Sequence, residues 1–338
     1  MTKVSVVITS IAGDQHPVLR QYATESTQRD IGFVVIGDTK SPLDFHLPAC
    51  DFYSIDQQKQ LGYTITDLLP TKHYARKNVG YLVAIAKGAD VLIETDDDNI
   101  PLAAFWEPRH RLQPARLVVD AGWTNVYGYY SSARIWPRGF ALDQILKPLP
   151  GLSDVRVVNC PVQQGLADDN PDVDAVYRLT QTLPFQFNRF DNVGLQTNAI
   201  CPFNSQNTTW FSEAFPLLYL PSYCSFRMTD IWRSFVAQRL LWTCDWTLLF
   251  HNSTVRQERN DHNLMLDFED EISGYVHNYQ IVEVLKSLNL RSGPERLAEN
   301  LYLCYEALVA KSFIDKRELA LISAWIKDLA TLMAGRIR

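Results

Sequence analysis

Residues 93–101 read Ile-Glu-Thr-Asp-Asp-Asp-Asn-Ile-Pro, so three consecutive carboxylates, Asp96, Asp97 and Asp98, stand directly behind an apolar run. If the extended backbone continues through them, successive side chains alternate, which sends Asp96 and Asp98 to one face and Asp97 to the other, into the supporting shell on the donor side. Two carboxylates on one face suit Mn²⁺ or Mg²⁺, hard cations that take one or two protein carboxylates and complete their shell with water and substrate phosphates. An acidic turn leading into Pro101 is the plainer alternative, because Asp is a common turn residue.

The elements that must position the triplet favour a ligand site. "KVSVVITSI" is a short β-branched apolar run ended by Gly13-Asp14, "HPVLRQYATES" has helical spacing, and "IGFVVIGDTKSP" is a second strand stopped by Gly37-Asp38 and Pro42. "ARKNVGYLVAIAKG" is expected to be an amphipathic helix stopped by Gly88, and "ADVLIETDDD" the next strand. Strands and helices alternating in this way imply an α/β fold with a doubly wound, mostly parallel sheet, whose ligands sit beyond the carboxyl ends of the strands. Thr9, Asp38 and the Asp triplet therefore fall on one rim. Residues 102–265 are richer in Pro, Trp, Tyr and Asn, as expected of loops that frame a pocket. The later part carries three helix-length amphipathic segments. The expected division is a ligand-binding catalytic domain over 1–265 and a helical region over 266–338, packed on that domain or joining subunits as a homo-oligomer.

Composition narrows the function. A net charge of -6 leaves no basic excess for general nucleic-acid binding, and 46% hydrophobic residues over 338 positions build a sizeable core. No run of about 18 apolar residues is present to span a bilayer, so the expectation is a cytoplasmic protein, at most peripheral to a membrane. The six cysteines lack CxxC spacing and are expected to be reduced core thiols.

"YARKNVGYLVAIAKGADVLIETDDDN" resembles the corresponding stretch of the STELLO family, plant glycosyltransferase-like proteins linked to cellulose synthesis. "WPRGFALDQI", "QQGLADDNPDVDAVYRLT", "PFNSQNTTWF", "DIWRSFVAQRLLW" and "ELALISAWIKDLA" follow in the same order. A more distant resemblance is to the UDP-arabinopyranose mutases, or reversibly glycosylated polypeptides, which carry a triple Asp after a strand and a later acidic block where this chain has "TDIWRS". Both imply a GT-A-like scaffold that uses a nucleoside diphosphate sugar, UDP-linked, with a divalent metal, and a hydroxyl-bearing glycan or glycoconjugate as acceptor. Asp230, at a helix start, is read from sequence as an N-cap. The resemblance implies that it is instead, or as well, the general base of an inverting transfer. Nucleotide-sugar mutase activity and a non-catalytic interaction protein on the same scaffold are the competing functions.

The remaining site residues are expectations of the same kind. Thr9 and Asp38 match positions that contact base and ribose in GT-A proteins. Arg76, Lys77 and Asn78 open the helix before the Asp triplet and suit diphosphate oxygens. Asp172, Asp174 and Arg178 are either a solvated loop or part of the sugar and acceptor side. Asn204 and Gln206 offer amides for sugar hydroxyls, with Phe203 or Trp210 as stacking platforms or core. His251 is a candidate third metal ligand beside Asp96 and Asp98, and His262 competes for that role.

Overall fold

Gly80 shows how closely the first layers pack: a Cβ there would meet Val7 Cγ1 at 2.6 Å and Ile36 Cγ1 at 2.8 Å, so only glycine lets its helix lie on the sheet. The structure is a computed structural model that describes residues 2–259 and 263–336. The first layer comprises β1 (Val4–Thr9), α1 (Pro17–Gln28), β2 (Gly32–Ile36), β3 (Asp51–Tyr53), α2 (Ile55–Gln60), α3 (Thr64–Leu68), α4 (Lys77–Ala86) and β4 (Val91–Thr95). β3, β2, β1 and β4 pair in parallel in that spatial order. β1 thus lies between β2 and β4, and the strand order reverses there, which opens a crevice at the carboxyl ends of β1 and β4. Gly88 adopts φ +91° just past α4 and stops it, as its position predicts. The expected amphipathic character of α4 is not observed. Lys77 through Ile85 are all buried, because the sheet covers one side and the C-terminal helices the other.

The second part adds β5 (Asn99–Pro101), β6 (Leu112–Leu117), β7 (Gly122–Trp123), β8 (Arg156–Asn159), β9 (Val162–Asp168), α5 (Ala175–Thr180), β10 (Val193–Leu195), β11 (Ala199–Ile200), β12 (Asn207–Phe211), α6 (Thr229–Thr243) and β13 (Leu248–Gln257). The large sheet continues β4-β12-β9-β13-β10-β6-β8, with β5 also on β13 and a separate β11-β7 pair. β12 runs antiparallel to both β4 and β9, while β9 pairs with β13 and β6 with β10 in parallel. The α/β class and the helix-flanked sheet are therefore as expected.

α7 (Leu264–Ser287), α8 (Leu297–Ala310) and α9 (Glu318–Arg336) pack onto this body. Asp328 of α9 accepts from the Thr64 and Ile65 amides at the start of α3, at 3.0 and 2.9 Å. Trp325 sits edge-on to Tyr81 of α4, and one apolar core runs from the sheet into these helices. No helix among the described residues is long and apolar enough to cross a membrane.

Candidate functional site

β4 is buried along its whole length and ends at Thr95. The chain then turns: the Asn99 amide donates to the Asp96 carbonyl at 3.2 Å, and Asp97 and Asp98 lie in the turn. The predicted strand alternation therefore fails, because the backbone is no longer extended. Asp96, Asp97 and Asp98 all line one cavity of about 310 Å³, together with Thr9, Tyr74, Arg138, Ser205, Phe226, Arg227 and Asp230. Asp97 faces the site rather than a supporting shell, and Ser10 Oγ donates to it.

Each carboxylate of the turn has a different environment. Lys77 Nζ, fully buried, donates to Asp96 Oδ1 at 2.7 Å and to the Thr95 carbonyl at 2.9 Å. Burial pushes the Asp96 carboxyl upward and Lys77 opposes that shift. Asp98 receives one bond, from Gln257 Nε2 at 2.9 Å, and its Oδ1 is buried with no partner. Burial, followed by the neighbouring Asp96 and Asp97 charges, raises Asp98 to about 7. Among the described residues no three His, Cys, Asp or Glu side chains group to hold a metal by themselves. The bare buried oxygen of Asp98 does suit a hard cation that brings most of its ligands with a phosphate-bearing substrate.

On the opposite wall stands Asp230, only 3% exposed. It is not an N-cap. α6 begins one residue earlier, at Thr229, with Met228 in the capping position and no side-chain cap. Asp230 instead accepts from Arg138 Nη1 and Nη2 at 3.1 and 3.0 Å, from Tyr74 Oη at 3.2 Å and from the Ser205 amide at 3.1 Å. Burial alone would raise its pKa, but Arg138 outweighs burial and holds it down at about 2. Arg138 also donates to both oxygens of Asp172, at 2.8 and 2.9 Å, so one guanidinium bridges two carboxylates. The two walls are joined through the core by Glu94 of β4 and Arg233 of α6, both fully buried and 2.8 Å apart. Tyr81 and Trp210 also donate to Glu94.

A second cavity, of about 350 Å³, adjoins the first and shares Thr9, Tyr74, Asp97 and Phe226 with it. Asp38 and Arg76 line it, as expected of residues on this rim. Asp38 is fixed by the Thr39 and His73 amides, at 2.6 and 3.1 Å. Arg76 bonds Gln58 and the Leu69 carbonyl, and its Nη2 has no partner. Burial holds His73 neutral, down at about 4.

Several expected ligand groups are committed elsewhere. Lys77 is a buried support for Asp96 and does not reach outward toward a diphosphate. Asn78 is fully buried, and its amide clamps the backbone of Leu220 at 2.8 and 2.9 Å. Asp174 caps α5 through the Tyr177 amide and accepts from Trp136 Nε1, both at 2.7 Å, so it is neither a solvated residue nor a ligand group. Asn204 holds Asp172 at 2.9 Å and Gln206 holds Asn99 at 2.9 Å. Phe203 and Trp210 are core residues. His251 lies on β13 before a bulge, in a separate recess with Arg109 and Gln163, and burial lowers it to about 3. The chain reaches the acidic turn only six residues later, with Gln257. His262 lies outside the described residues.

Sequence reasoning passed over Arg138, Tyr74, Ser205, Arg227, Glu94 and Arg233. Glu94 had a usable signal: a carboxylate inside the buried strand "VLIET" must find a cation. Arg233, on the buried side of α6, is that cation.

Comparison with known proteins agrees with the sequence resemblance. Residues 227–335 match the model of the STELLO glycosyltransferases. The chain is 30% identical over 329 residues to the probable glycosyltransferase STELLO2 of Arabidopsis thaliana, an alignment covering 89% of this chain and 41% of that protein. It is also 30% identical over 322 residues to the probable glycosyltransferase STELLO1 of the same plant, with 88% and 41% covered. The chain thus spans about two-fifths of the length of these relatives. Among solved structures, a mycobacterial protein aligns with a TM-score of 0.40 at 11% identity, over 82% of this chain and 74% of its own. M. tuberculosis glucosyl-3-phosphoglycerate synthase aligns with a TM-score of 0.40 at 10% identity, over 82% and 80%.

Proposed function

We propose that this STELLO-related chain transfers a sugar from a nucleoside diphosphate sugar, UDP-linked, to an acceptor hydroxyl, with Mn²⁺ or Mg²⁺ held by Asp96 and Asp98. The observation that carries the proposal is the shared wall between the two cavities. The cavity lined by Thr9, Asp38 and Arg76 opens onto one where the acidic turn faces Asp230. Base and ribose would occupy the first cavity, with the diphosphate at the turn and the anomeric carbon between the turn and Asp230. When bound, the cation supplies charge neutralisation for the departing diphosphate.

In this reading Asp230 is the general base. Held at about 2, it is ionised throughout the physiological range. The acceptor oxygen bonds to the anomeric carbon as the bond to diphosphate breaks, and the hydroxyl proton passes to Asp230. That direct displacement inverts the anomeric centre. Arg138 Nη1 and Nη2, Tyr74 Oη, the Ser205 amide and, at 3.5 Å, Ser205 Oγ already occupy its lone pairs. Tyr74 Oη, a neutral donor at 3.2 Å, is the one that an acceptor hydroxyl would displace. Because Asp230 is a weak base, proton transfer trails bond formation, as suits an oxocarbenium-like transition state.

Titration calorimetry of UDP with and without Mn²⁺ tests the donor side. We expect Mn²⁺-dependent binding in the native protein and loss of the Mn²⁺-dependent component in Asp98→Ala. Unchanged metal-dependent binding in Asp98→Ala would sink the metal-clamp assignment.

A further inference from the structure

We infer that a recess on the sheet face away from Asp230 is a second ligand site, which seats a hydroxylated anion: a sugar that carries a phosphate or carboxylate group. It shares no lining residue with either cavity described above, so the inference stands apart from the glycosyl-transfer reading.

The recess, of about 390 Å³, forms where β9 and β13 meet the helical turn Ala103–Trp106 and the chain that follows it. Alternation along β13 sets its side. Leu248 and Phe250 join the core beneath α6, so Leu249 and His251 project from the other face, into the recess.

Two guanidiniums and one carboxylate line it. Arg109 donates to the Ala104, Phe105 and Glu107 carbonyls, at 3.2, 3.0 and 3.0 Å, and to Thr209 Oγ1 at 3.4 Å. These acceptors are all neutral, and one Nη2 hydrogen is left over. The carboxylate on the wall, Glu107, is exposed and forms no ion pair among the described residues. Burial pulls Arg109 down to about 10, and Glu107 opposes that only in part. Arg189, also exposed, makes no hydrogen bond or ion pair among the described residues. Two further carboxylates adjoin or touch lining residues, and both are engaged: Asp191 pairs with Arg116 at 2.7 Å, while Asp168 accepts from the Phe187 amide at 3.1 Å and Ser253 Oγ at 2.8 Å. A phosphate or carboxylate answers the positive charge of Arg109 and Arg189, and the guanidinium fork matches either group.

The other polar atoms offered to the recess are acceptors. Gln113 Nε2 donates to the His110 carbonyl at 3.0 Å, Gln163 Nε2 to the His110 and Cys160 carbonyls at 2.8 and 3.0 Å, and Asn192 Nδ2 to the Pro114 carbonyl at 3.0 Å. Those carbonyls orient each amide, which leaves the side-chain oxygens for a ligand. His251 Nδ1 lies 2.9 Å from the Asn252 carbonyl and so carries the ring hydrogen. Burial and the Arg109 charge keep the ring neutral, and Nε2 is therefore a bare acceptor. Three amide oxygens and a ring nitrogen beside two guanidiniums call for several hydroxyl donors and a negative charge on one molecule. A neutral sugar leaves the arginines unanswered, and a plain anion brings too few hydrogens for the acceptors.

Titration calorimetry with glucose 6-phosphate, glucuronate, glucose and inorganic phosphate, at equal ionic strength and without metal, tests the site. At least one of the two acidic sugars should bind the native protein more tightly than both glucose and phosphate, and the tighter of the two identifies the anionic group. Arg189→Gln should weaken that binding by ~10-fold, the loss expected of one charge-assisted hydrogen bond, and Arg189→Glu by more. Arg109→Gln should weaken it too, but it also frees the 104–107 carbonyls; the exposed Arg189 keeps the test valid if that variant does not fold. Saturating UDP with Mn²⁺ should leave the affinity for the acidic sugar unchanged. The inference is overturned if neither acidic sugar binds, if glucose or phosphate binds as tightly, if the Arg189 variants bind as the native protein does, or if UDP displaces the sugar. Failure of UDP itself to bind removes the donor reading and leaves this site standing.

Discussion

On the β4 side of the cavity Asp98 keeps a buried oxygen with no donor, whereas on the α6 side Asp230 has its lone pairs taken by Arg138, Tyr74 and Ser205. Burial is common to both, yet it leaves Asp98 up at about 7 and Asp230 down at about 2. The difference comes from the partner: like charges from Asp96 and Asp97 in one case, a forked guanidinium in the other. Carboxylates in one cavity with pKa values driven apart in this way divide the work. The turn is an anion short of a cation, and Asp230 is a permanent anion held in place.

The contrast depends on the two walls keeping their distance, which makes the Glu94–Arg233 pair the most damaging place to break it. Arg233→Leu leaves Glu94 charged and buried beside Tyr81 and Trp210, and the expected loss is ~3–5 kcal/mol of folding stability. Chemical denaturation measures it, and a loss below about 1 kcal/mol would mean that the pair does not hold β4 to α6. Asp230→Asn tests the other half of the contrast. It keeps the size of the side chain and removes the charge, so turnover of donor should fall by ~10²–10⁴-fold, the range of a general base. Mn²⁺-dependent UDP affinity, measured by calorimetry, should survive the change. Turnover near that of the native protein would remove Asp230 from the chemistry.

How far the site was legible follows from the same residues. The acidic triplet could be read because it is local: a buried strand, three Asp residues and a crevice at the strand ends are all written within 91–98. Its turn was readable only as the plainer alternative, because Asp is a common turn residue, whereas the alternation of extended backbone, on which the division of the three carboxylates rested, stops at Thr95. Asp230 was found, but its saturation was hidden, since Arg138 lies 92 positions away and Tyr74 156. The misassigned Lys77, Asn78 and Asp174 share one cause. Each is a polar residue at a helix start, where a ligand group and a buried structural group look alike in sequence, and only burial separates them. The strand-helix alternation of the first hundred residues was plain, whereas β12 and β13, which enter the sheet between distant strands, gave no local sign of their neighbours.

The smallest predicted effect is also the one that separates the two carboxylates most directly. Asp98 lies at about 7 in the folded protein and at its ordinary value of 3.8 when unfolded. A raised folded pKa means that the folded state binds the extra proton between those values. The group's stabilising contribution is therefore complete below about 3.8 and is lost as pH rises through about 7, with a slope of at most ~1.4 kcal/mol per pH unit. Asp230 shifts the other way, and its contribution is present above 3.8 and lost only as pH falls toward 2. A cation at the turn must displace the Asp98 proton, so the stabilisation given by Mn²⁺ should grow as pH rises from 6 to 8 and level off above about 7. Thermal melting with and without Mn²⁺ across this range measures it. In Asp98→Asn the pH dependence of the Mn²⁺ effect should disappear, and in Asp230→Asn it should persist. A Mn²⁺ effect that is flat with pH in the native protein would mean that the bare oxygen of Asp98 is not where the cation binds.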